Sequence, residues 1–288
     1  QTAVDPRVPI GIGDDTASLR LTPGREVLVT TDMILDGVHF DLTRSTTRLV
    51  GRKAMGVNLS DIAAMAGIPV AAVVSVGLPR DISRRNAEEL FCGIHELASE
   101  FNVALVGGDT NSSRSGLVIC ITLIGESTQH GPVRRSGARA GDWILATGSF
   151  GGSILGKHLD FKPRVREALT LHERFPLHAM IDVSDGLTAD LGHILEESRC
   201  GAVLQAAAIP ISDAARQISD ERSSLDRALQ DGEDFELLFT LAPDDARRLM
   251  AEQPLAIPVS HIGEITAQLG LWLLDEQGRP ALPPPLHD

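Results

Sequence analysis

Ala179-Met180-Ile181-Asp182-Val183-Ser184-Asp185-Gly186-Leu187-Thr188-Ala189-Asp190-Leu191-Gly192-His193-Ile194-Leu195, residues 179–195, changes period in mid-stretch. The apolar run Ala179–Val183 predicts a buried strand, and it stops among acids and Gly186. From Leu187 the apolar residues Leu187, Leu191, Ile194 and Leu195 recur at helical spacing, and Cys200-Gly201 follows the end of that helix. Strand, acidic turn and helix in succession are the grammar of a mixed α/β fold. The same grammar predicts strands over Val27–Thr31, Val70–Leu78, Val103–Val106, Leu117–Gly125, Trp143–Thr147, Phe235–Leu241 and Leu271–Leu274. Helices are expected over Leu49–Met65, Arg84–Phe101, Val165–Glu173, Leu187–Ser198, Asp213–Ile218 and Pro243–Ala251. A stretch of Arg, Gly, Ala and Pro at Gly131–Asp142 shifts the composition, so two domains are expected, 1–134 and 135–288.

The chain has 288 residues, 43% of them hydrophobic, enough for real cores. Its formal net charge is −13, which repels phosphodiester backbones and anionic lipid and argues against nucleic-acid and membrane partners. The uncharged run Ile62–Pro79 is interrupted by Gly67, Pro69, Ser75 and Gly77, so it is expected to be a helix end, a turn and a buried strand, not a membrane span. Cys92, Cys120 and Cys200 are odd in number and widely spaced, the pattern of buried thiols in a reducing cytoplasm. The first fifteen residues carry no apolar signal core, and because the chain starts at Gln1 its natural N-terminus is expected to extend further.

Most of the 39 acids belong to a solvated surface, but a subset stands where strands stop or among apolar residues. Asp14-Asp15 follow Gly11-Ile12-Gly13, Asp32 ends Val27–Thr31, Asp109 follows Val106-Gly107-Gly108, Asp182 and Asp185 flank Val183-Ser184, and Asp61 sits among helical apolar residues. Strand-end loops are where α/β proteins place their sites. Two carboxylates ~4 Å apart repel by about 4 kcal/mol at an effective dielectric near 20, so a converging set calls for a cation. All-oxygen ligands without a His/Cys cluster point to Mg²⁺, Mn²⁺ or Ca²⁺, and Mg²⁺ held by carboxylates in an acidic protein points to a phosphate ligand. The same residues serve equally well as turn and helix-cap residues, with Ser184 and Asp185 capping the helix and Gly107-Gly108-Asp109-Thr110 forming a tight turn. Gly232-Glu233-Asp234 is a turn into a buried strand or a substrate-facing acidic pair. His39 is the one histidine close in sequence to the acidic set, and Arg135 is either a surface charge or a phosphate contact. Gly151-Gly152-Ser153-Ile154-Leu155-Gly156-Lys157 has phosphate-loop spacing, but His158 stands where that motif needs Ser or Thr, so a tight strand-to-helix turn is expected instead.

Together these segments resemble the thiamine-monophosphate kinases, a family within the superfamily of aminoimidazole ribonucleotide synthetase. The resemblance runs through GIGDD at 11–15, TTDMILDGVHF at 30–40, KAMGVNLSDIAAMAG at 53–67, GGDT at 107–110, RSGARAGDWILATG at 135–148, IDVSDGLTADLGHI at 181–194 and GEDFELLFT at 232–240. It implies an α/β (α+β type) protein with an N-terminal sheet domain that forms a homodimer and a C-terminal α/β domain. The implied reaction is transfer of the ATP γ-phosphoryl group to thiamine monophosphate in the cytoplasm. Asp15, Thr30, Thr31, Asp32, Asp61, Asp109, Asp182 and Asp185 are the implied Mg²⁺ ligands. Gly108, Asp109, Arg135 and Ser184 are the implied ATP contacts, and His39 and Glu233 are implied to face thiamine monophosphate. No covalent nucleophile or general base is required, because phosphoryl transfer asks for positioning and charge neutralisation. The chain departs from the family pattern at Cys92, where a Tyr is common, in a shorter 153–164 segment, and in Pro283-Pro284-Pro285-Leu286-His287-Asp288, which replaces an aromatic-x-His-Phe stretch. Related activities are expected to be absent: Cys92 is the first cysteine, and the last residues are His287-Asp288, whereas selenophosphate synthetase uses an N-terminal selenium-handling residue and the hydrogenase-maturation enzyme a terminal Cys. A nucleotide- and Mg²⁺-binding scaffold without turnover is the alternative from another class.

Overall fold

The computed structural model describes residues 5–275 and 277–281. Residues 282–288, which include the Pro283–Asp288 departure, lie outside the described residues. The described residues form two compact units: one takes those up to Ile62 with Gly67–Gly131 and Leu159–Pro163, and the other takes Ala63–Ala66, Pro132–His158 and the described residues from Arg164 on.

The first unit is built on β1 (Val27–Leu35), β2 (Ile68–Pro79), β3 (Ala104–Ser113) and β4 (Val118–Glu126), with α1 (Thr47–Ala64) and α2 (Arg84–Glu100) between strands. The sheet order is β1-β4-β2-β3. β2 and β3 are parallel because α2 carries the chain back between them, while β4 runs antiparallel to both β1 and β2. Ser83 caps α2 by accepting the Asn86 N–H at 3.1 Å, and Leu90, Ile94 and Leu97 form its buried stripe. A Cβ on Gly51 or Gly93 would overlap the Leu90 or Arg48 carbonyl oxygen, so the two helices cross on a glycine contact. The uncharged run 62–79 is the end of α1, a turn and β2, as its punctuation predicts.

Gly107-Gly108-Asp109-Thr110 is not a turn. It lies inside β3, opposite a register shift at Ala72/Val73 of β2. A Cβ on Gly108 would overlap the Val74 carbonyl oxygen, so the glycine serves strand-to-strand approach and not reversal.

The second unit carries a sheet of order β11-β10-β7-β9-β5-β8-β6. Its strands are β5 (Trp143–Thr147), β6 (Ala179–Asp182), β7 (Gly201–Gln205), β8 (Leu237–Leu241), β9 (Val259–Thr266), β10 (Gly270–Leu274) and β11 (Pro280–Ala281). Its helices are α3 (Val165–Arg174), α4 (Leu187–Ser198), α5 (Asp213–Gln217), α6 (Ser224–Gln230) and α7 (Pro243–Glu252). Leu187, Leu191 and Ile194 of α4 pack with Ile144, Ile181, Leu238 and Ile262 of the sheet in one core, each such side chain contributing about 1.5–3 kcal/mol. β7, β9 and α6 are not apparent in the sequence. β8 starts at Leu237, later than expected, because Phe235 has φ 52°, outside strand geometry.

Of the cysteines only Cys200 is buried; Cys120 is half-buried and Cys92 exposed, because Cys92 falls off the apolar stripe of α2. All three are free thiols. No helix among the described residues is long and apolar enough to cross a membrane.

Candidate active site

In the first unit a cleft of about 380 Å³ opens between the loop Ile12–Ala17 and the strand segment Leu105–Thr110, with Phe91 of α2 beside it. Asp14, Asp15 and Asp109 line it, and no Lys or Arg is among its lining residues. Asp109 accepts the Asn111 Nδ2–H at 2.7 Å. A Cβ on Gly107 would meet nothing within 4 Å, so the backbone is accessible at that point of the cleft. An acidic wall beside open glycine backbone suits a phosphate that arrives with its cation.

β1 sorts its site residues by pleat. Thr30 and Asp32 share the face of the buried Leu28 and Ile34, and Thr30 Oγ1 donates a short hydrogen bond to Asp61 Oδ2 on α1. Thr31 lies on the other face, with its hydroxyl 3.0 Å from Thr122 Oγ1 and 3.6 Å from Cys120 Sγ. The structure therefore joins Thr30 to Asp61 and separates the Thr31 hydroxyl from them. Asp32 pairs with Ile121, Ile121 with Val74 and Val74 with Gly108, so β1 and β3 are opposite edges of the sheet. Three strand spacings put Asp32 and Asp109 roughly 14 Å apart along that row.

His39 is half-buried in the turn after β1. Its Nδ1 accepts the Leu35 N–H at 3.2 Å, which leaves Nε2 as the protonated nitrogen. Lys53, fully buried on α1, donates its ammonium to the His39 carbonyl at 2.5 Å. A buried lysine under a turn marks that turn as held in place.

In the second unit Asp182 is buried at the end of β6, Ser184 is half-buried and Asp185 exposed. Neither Ser184 nor Asp185 caps α4. Gly186 occupies the N-cap with φ 123°, and Asp190 reaches back from the first turn, its Oδ2 accepting the N–H groups of Ser184, Asp185 and Gly186 at 3.0, 3.0 and 3.1 Å. Burial pushes the Asp190 carboxyl up to about 7, against those three hydrogen bonds. Arg135 is exposed, and Ser198 Oγ donates to its carbonyl at 3.2 Å.

Glu233 and Phe235 both have left-handed backbones, φ 65° and 52°, a conformation that costs about 1–2 kcal/mol for each non-glycine residue. Two hydrogen bonds hold them: Glu233 N–H to Ser184 O and Phe235 N–H to Val183 O, each 2.7 Å. Between them Asp234 is buried, and burial pushes its carboxyl up to about 6 even though Lys157 and the Gly151 N–H oppose the shift. Burial also works to raise buried Glu236, but the Arg164 guanidinium and Lys157 hold it below its ordinary value. Phe91, Lys53, Asp190 and this Lys157–Glu236 group are the residues that sequence reasoning missed. Two of them left a trace: Phe91 sits off the buried stripe of α2 with 36% of its surface exposed, and Lys53 interrupts the apolar spacing of Val50, Ala54 and Met55.

Residues 13–127 match the AIR synthase related protein N-terminal domain, and residues 132–272 match the C-terminal domain. A thiamine-monophosphate kinase of Rhodopirellula baltica is 41% identical over 276 residues, 93% of this chain and 86% of that protein. The crystal structure of thiamine-monophosphate kinase from Stenotrophomonas maltophilia K279a superposes with a TM-score of 0.85 at 33% identity, covering 96% of this chain and 93% of that one. AaThiL complexed with AMPPCP and TMP superposes at 0.74 with 27% identity, covering 94% and 90%. Both domains match in order, and the similarity extends over almost the whole length of each relative, so the chain belongs to the thiamine-monophosphate kinases of the AIR synthase related family.

Proposed function

We propose that this chain transfers the γ-phosphoryl group of ATP to thiamine monophosphate, giving thiamine diphosphate and ADP in the cytoplasm. The observation that carries the reading is the cleft in which Asp14, Asp15 and Asp109 face open glycine backbone at Gly107 without a lining cation. AaThiL binds an ATP analogue and TMP together, which supports the same pair of substrates here.

The all-oxygen donor set fits Mg²⁺. Three separate groups of residues would hold such ions: in the first unit Asp15 and Asp109 in the cleft, and Thr30, Asp32 and Asp61 on the inner face of β1 and α1; in the second unit Asp182 and Asp185 at the end of β6. When bound, Mg²⁺ neutralises the carboxylates and the charge on the transferring phosphoryl group. Gly108, Ser184 and Arg135 are assigned to ATP, His39 and Glu233 to thiamine monophosphate, and Phe91 supplies the aromatic surface that Cys92 does not. The acceptor phosphate is already ionised near neutral pH, so these residues orient and hold the reactants and withdraw no proton.

A homodimer completes this reading. The outer face of β1 exposes Val27, Val29 and Met33, an apolar row on an edge strand. Asp32 and Asp109 stand at opposite sheet edges, too far apart to share an ion with ligands at about 2.1 Å. They are therefore assigned to different ions.

Incubation of the purified chain with thiamine monophosphate, ATP and Mg²⁺ is expected to yield thiamine diphosphate by chromatography, and Asp32→Asn and Asp109→Asn are expected to abolish it without unfolding. ATP binding with no product would favour the non-catalytic scaffold. Near-normal turnover in both variants would sink the metal assignment.

A further inference from the structure

Gly151–Lys157, which has phosphate-loop spacing, binds carboxylates instead of phosphate. The Gly151 N–H donates to Asp234 Oδ2 at 2.7 Å, the Gly152 N–H to Asp231 Oδ2 at 3.0 Å, and Ser153 Oγ to the Gly232 carbonyl at 2.7 Å. Lys157 Nζ lies 3.0 Å from Glu236 Oε1 and 3.6 Å from Asp234 Oδ1. Arg164 Nε and Nη2 take the two oxygens of Glu236 at 2.7 Å each, a bidentate pair, and Thr147 Oγ1 donates to Glu236 Oε2 at 2.9 Å. The side chains of Asp231, Asp234 and Glu236 are thus each held by the 147–164 segment, and the Gly232 carbonyl with them. Glu233, in the middle of that run, is held through its backbone by Ser184.

A pair of left-handed non-glycine residues around a buried carboxylate persists only where the surroundings over-determine it. Buried ion pairs add little to stability compared with apolar packing, and their best-attested use is to specify one conformation. We propose that Lys157 and Arg164 are positioning residues for the phosphoryl acceptor: acting through Asp234 and Glu236, they fix the Gly232–Phe235 backbone and with it the placement of Glu233. The inference rests on the reading above in which Glu233 faces thiamine monophosphate.

Lys157 is the safer residue to change, since its side chain is 31% exposed, and Lys157→Met keeps most of its apolar length. In the full-length chain, Lys157→Met is expected to raise the KM for thiamine monophosphate about tenfold, with the KM for ATP moving less than about twofold. Lys157→Arg restores most of the loss. Combining Lys157→Met with Glu233→Gln adds little to the effect of Glu233→Gln alone, because both act on the same contact. Hydrogen exchange over residues 231–237 accelerates in Lys157→Met, as the Glu233 and Phe235 amides lose their hold. Unchanged exchange there overturns the proposal, as do equal shifts in both KM values or a double variant whose losses multiply. Faster exchange with the acceptor KM unmoved in both Lys157→Met and Glu233→Gln refutes the acceptor-facing assignment of Glu233, while the clamp on its backbone stands.

Discussion

The adjacent glycines of the cleft separate architecture from ligand binding, and alanine at each position distinguishes the two. Gly108 pairs with Val74 where β3 approaches β2, and an added Cβ would overlap the Val74 carbonyl oxygen. Backbone cannot move aside as a side-chain tip can, so the strands must part, at a cost of about 3 kcal/mol or more. At roughly 2–4 °C per kcal/mol for a chain of this class, Gly108→Ala should melt roughly 6–12 °C below the parent. Gly107 is the opposite case: its Cβ would meet nothing within 4 Å, so Gly107→Ala should melt within a degree or two of the parent, or slightly above it because the unfolded chain loses freedom. The same methyl projects where a phosphate is expected to approach the backbone, so Gly107→Ala should weaken Mg·ATP binding about tenfold or more. Scanning calorimetry and isothermal titration with a non-hydrolysable ATP analogue read the two effects separately. A Gly107→Ala variant that binds nucleotide like the parent would refute the assignment of this cleft, and a Gly108→Ala variant with the parent's melting temperature would refute the steric argument.

Asp190→Ala releases three N–H groups of the Ser184–Gly186 loop and should cost about 2–3 kcal/mol in urea denaturation with a large loss of turnover, whereas Asp190→Asn keeps an acceptor oxygen and should stay within about 1 kcal/mol. An Ala variant as stable as the parent would show that the tether does not hold the loop. Thr30→Val should cut turnover by removing the hydroxyl that meets Asp61, and Thr31→Val should not, since that hydroxyl meets Thr122 on the other face of β1. Equal losses in the two variants would contradict the pleat argument. The Asp234 carboxyl sits at about 6 in the fold against an ordinary 3.8, so its protonated form favours folding. That contribution is complete below about pH 4 and is lost as pH rises through about 6, up to about 3 kcal/mol in all. Asp234→Asn should therefore gain on the parent in denaturant midpoint across that window, and a difference constant with pH would refute the shift.

What the sequence discloses is what depends on local period and on strand ends. α4 follows from Leu187, Leu191, Ile194 and Leu195, and the break at Gly67 and Pro69 correctly separates α1 from β2. The Gly107-Gly108 pair misleads because two glycines carry the same signature whether the chain reverses or two strands come close, and only the tertiary partner Val74 decides between them. β9 hides because Gly263 interrupts it, yet a Cβ there would overlap the Val203 carbonyl oxygen of β7, again a demand made by a distant strand. The cap of α4 hides because Asp190 satisfies N–H groups four to six residues earlier, whereas capping rules look for an acceptor at the helix start. The separation of Thr30 from Thr31 is a consequence of the period-2 pleat of a strand visible in the sequence, a distinction that the resemblance, which groups both threonines as implied metal ligands, does not draw.

The charge balance of −13 acquires a structure of its own once the carboxylates are sorted by what compensates them. In the second unit two of the acids around the 231–236 run bring their cations with them: buried Glu236 has Arg164 and Lys157, and half-buried Asp231 has Arg222 and Arg227. Those acids cannot recruit an external ion without giving up a partner, and their role is to fix backbone. In the first unit Asp14, Asp15 and Asp109 line a cleft that contains no Lys or Arg among its lining residues, and the hydrogen bonds to Asp14 and Asp109 come from the Asp15 N–H and the Asn111 amide, neither of them a cation. Self-repulsion there is tolerable because the acids are exposed, where water screens them. A triphosphate entering that cleft displaces the water and raises the repulsion on both sides, so the anion can bind only together with divalent cations. Nucleotide affinity should therefore depend steeply on Mg²⁺ concentration, and titration of the ATP analogue at rising Mg²⁺ should show binding appear with the metal. Equal affinity in the presence of a chelator would mean that some other part of the chain neutralises the phosphates.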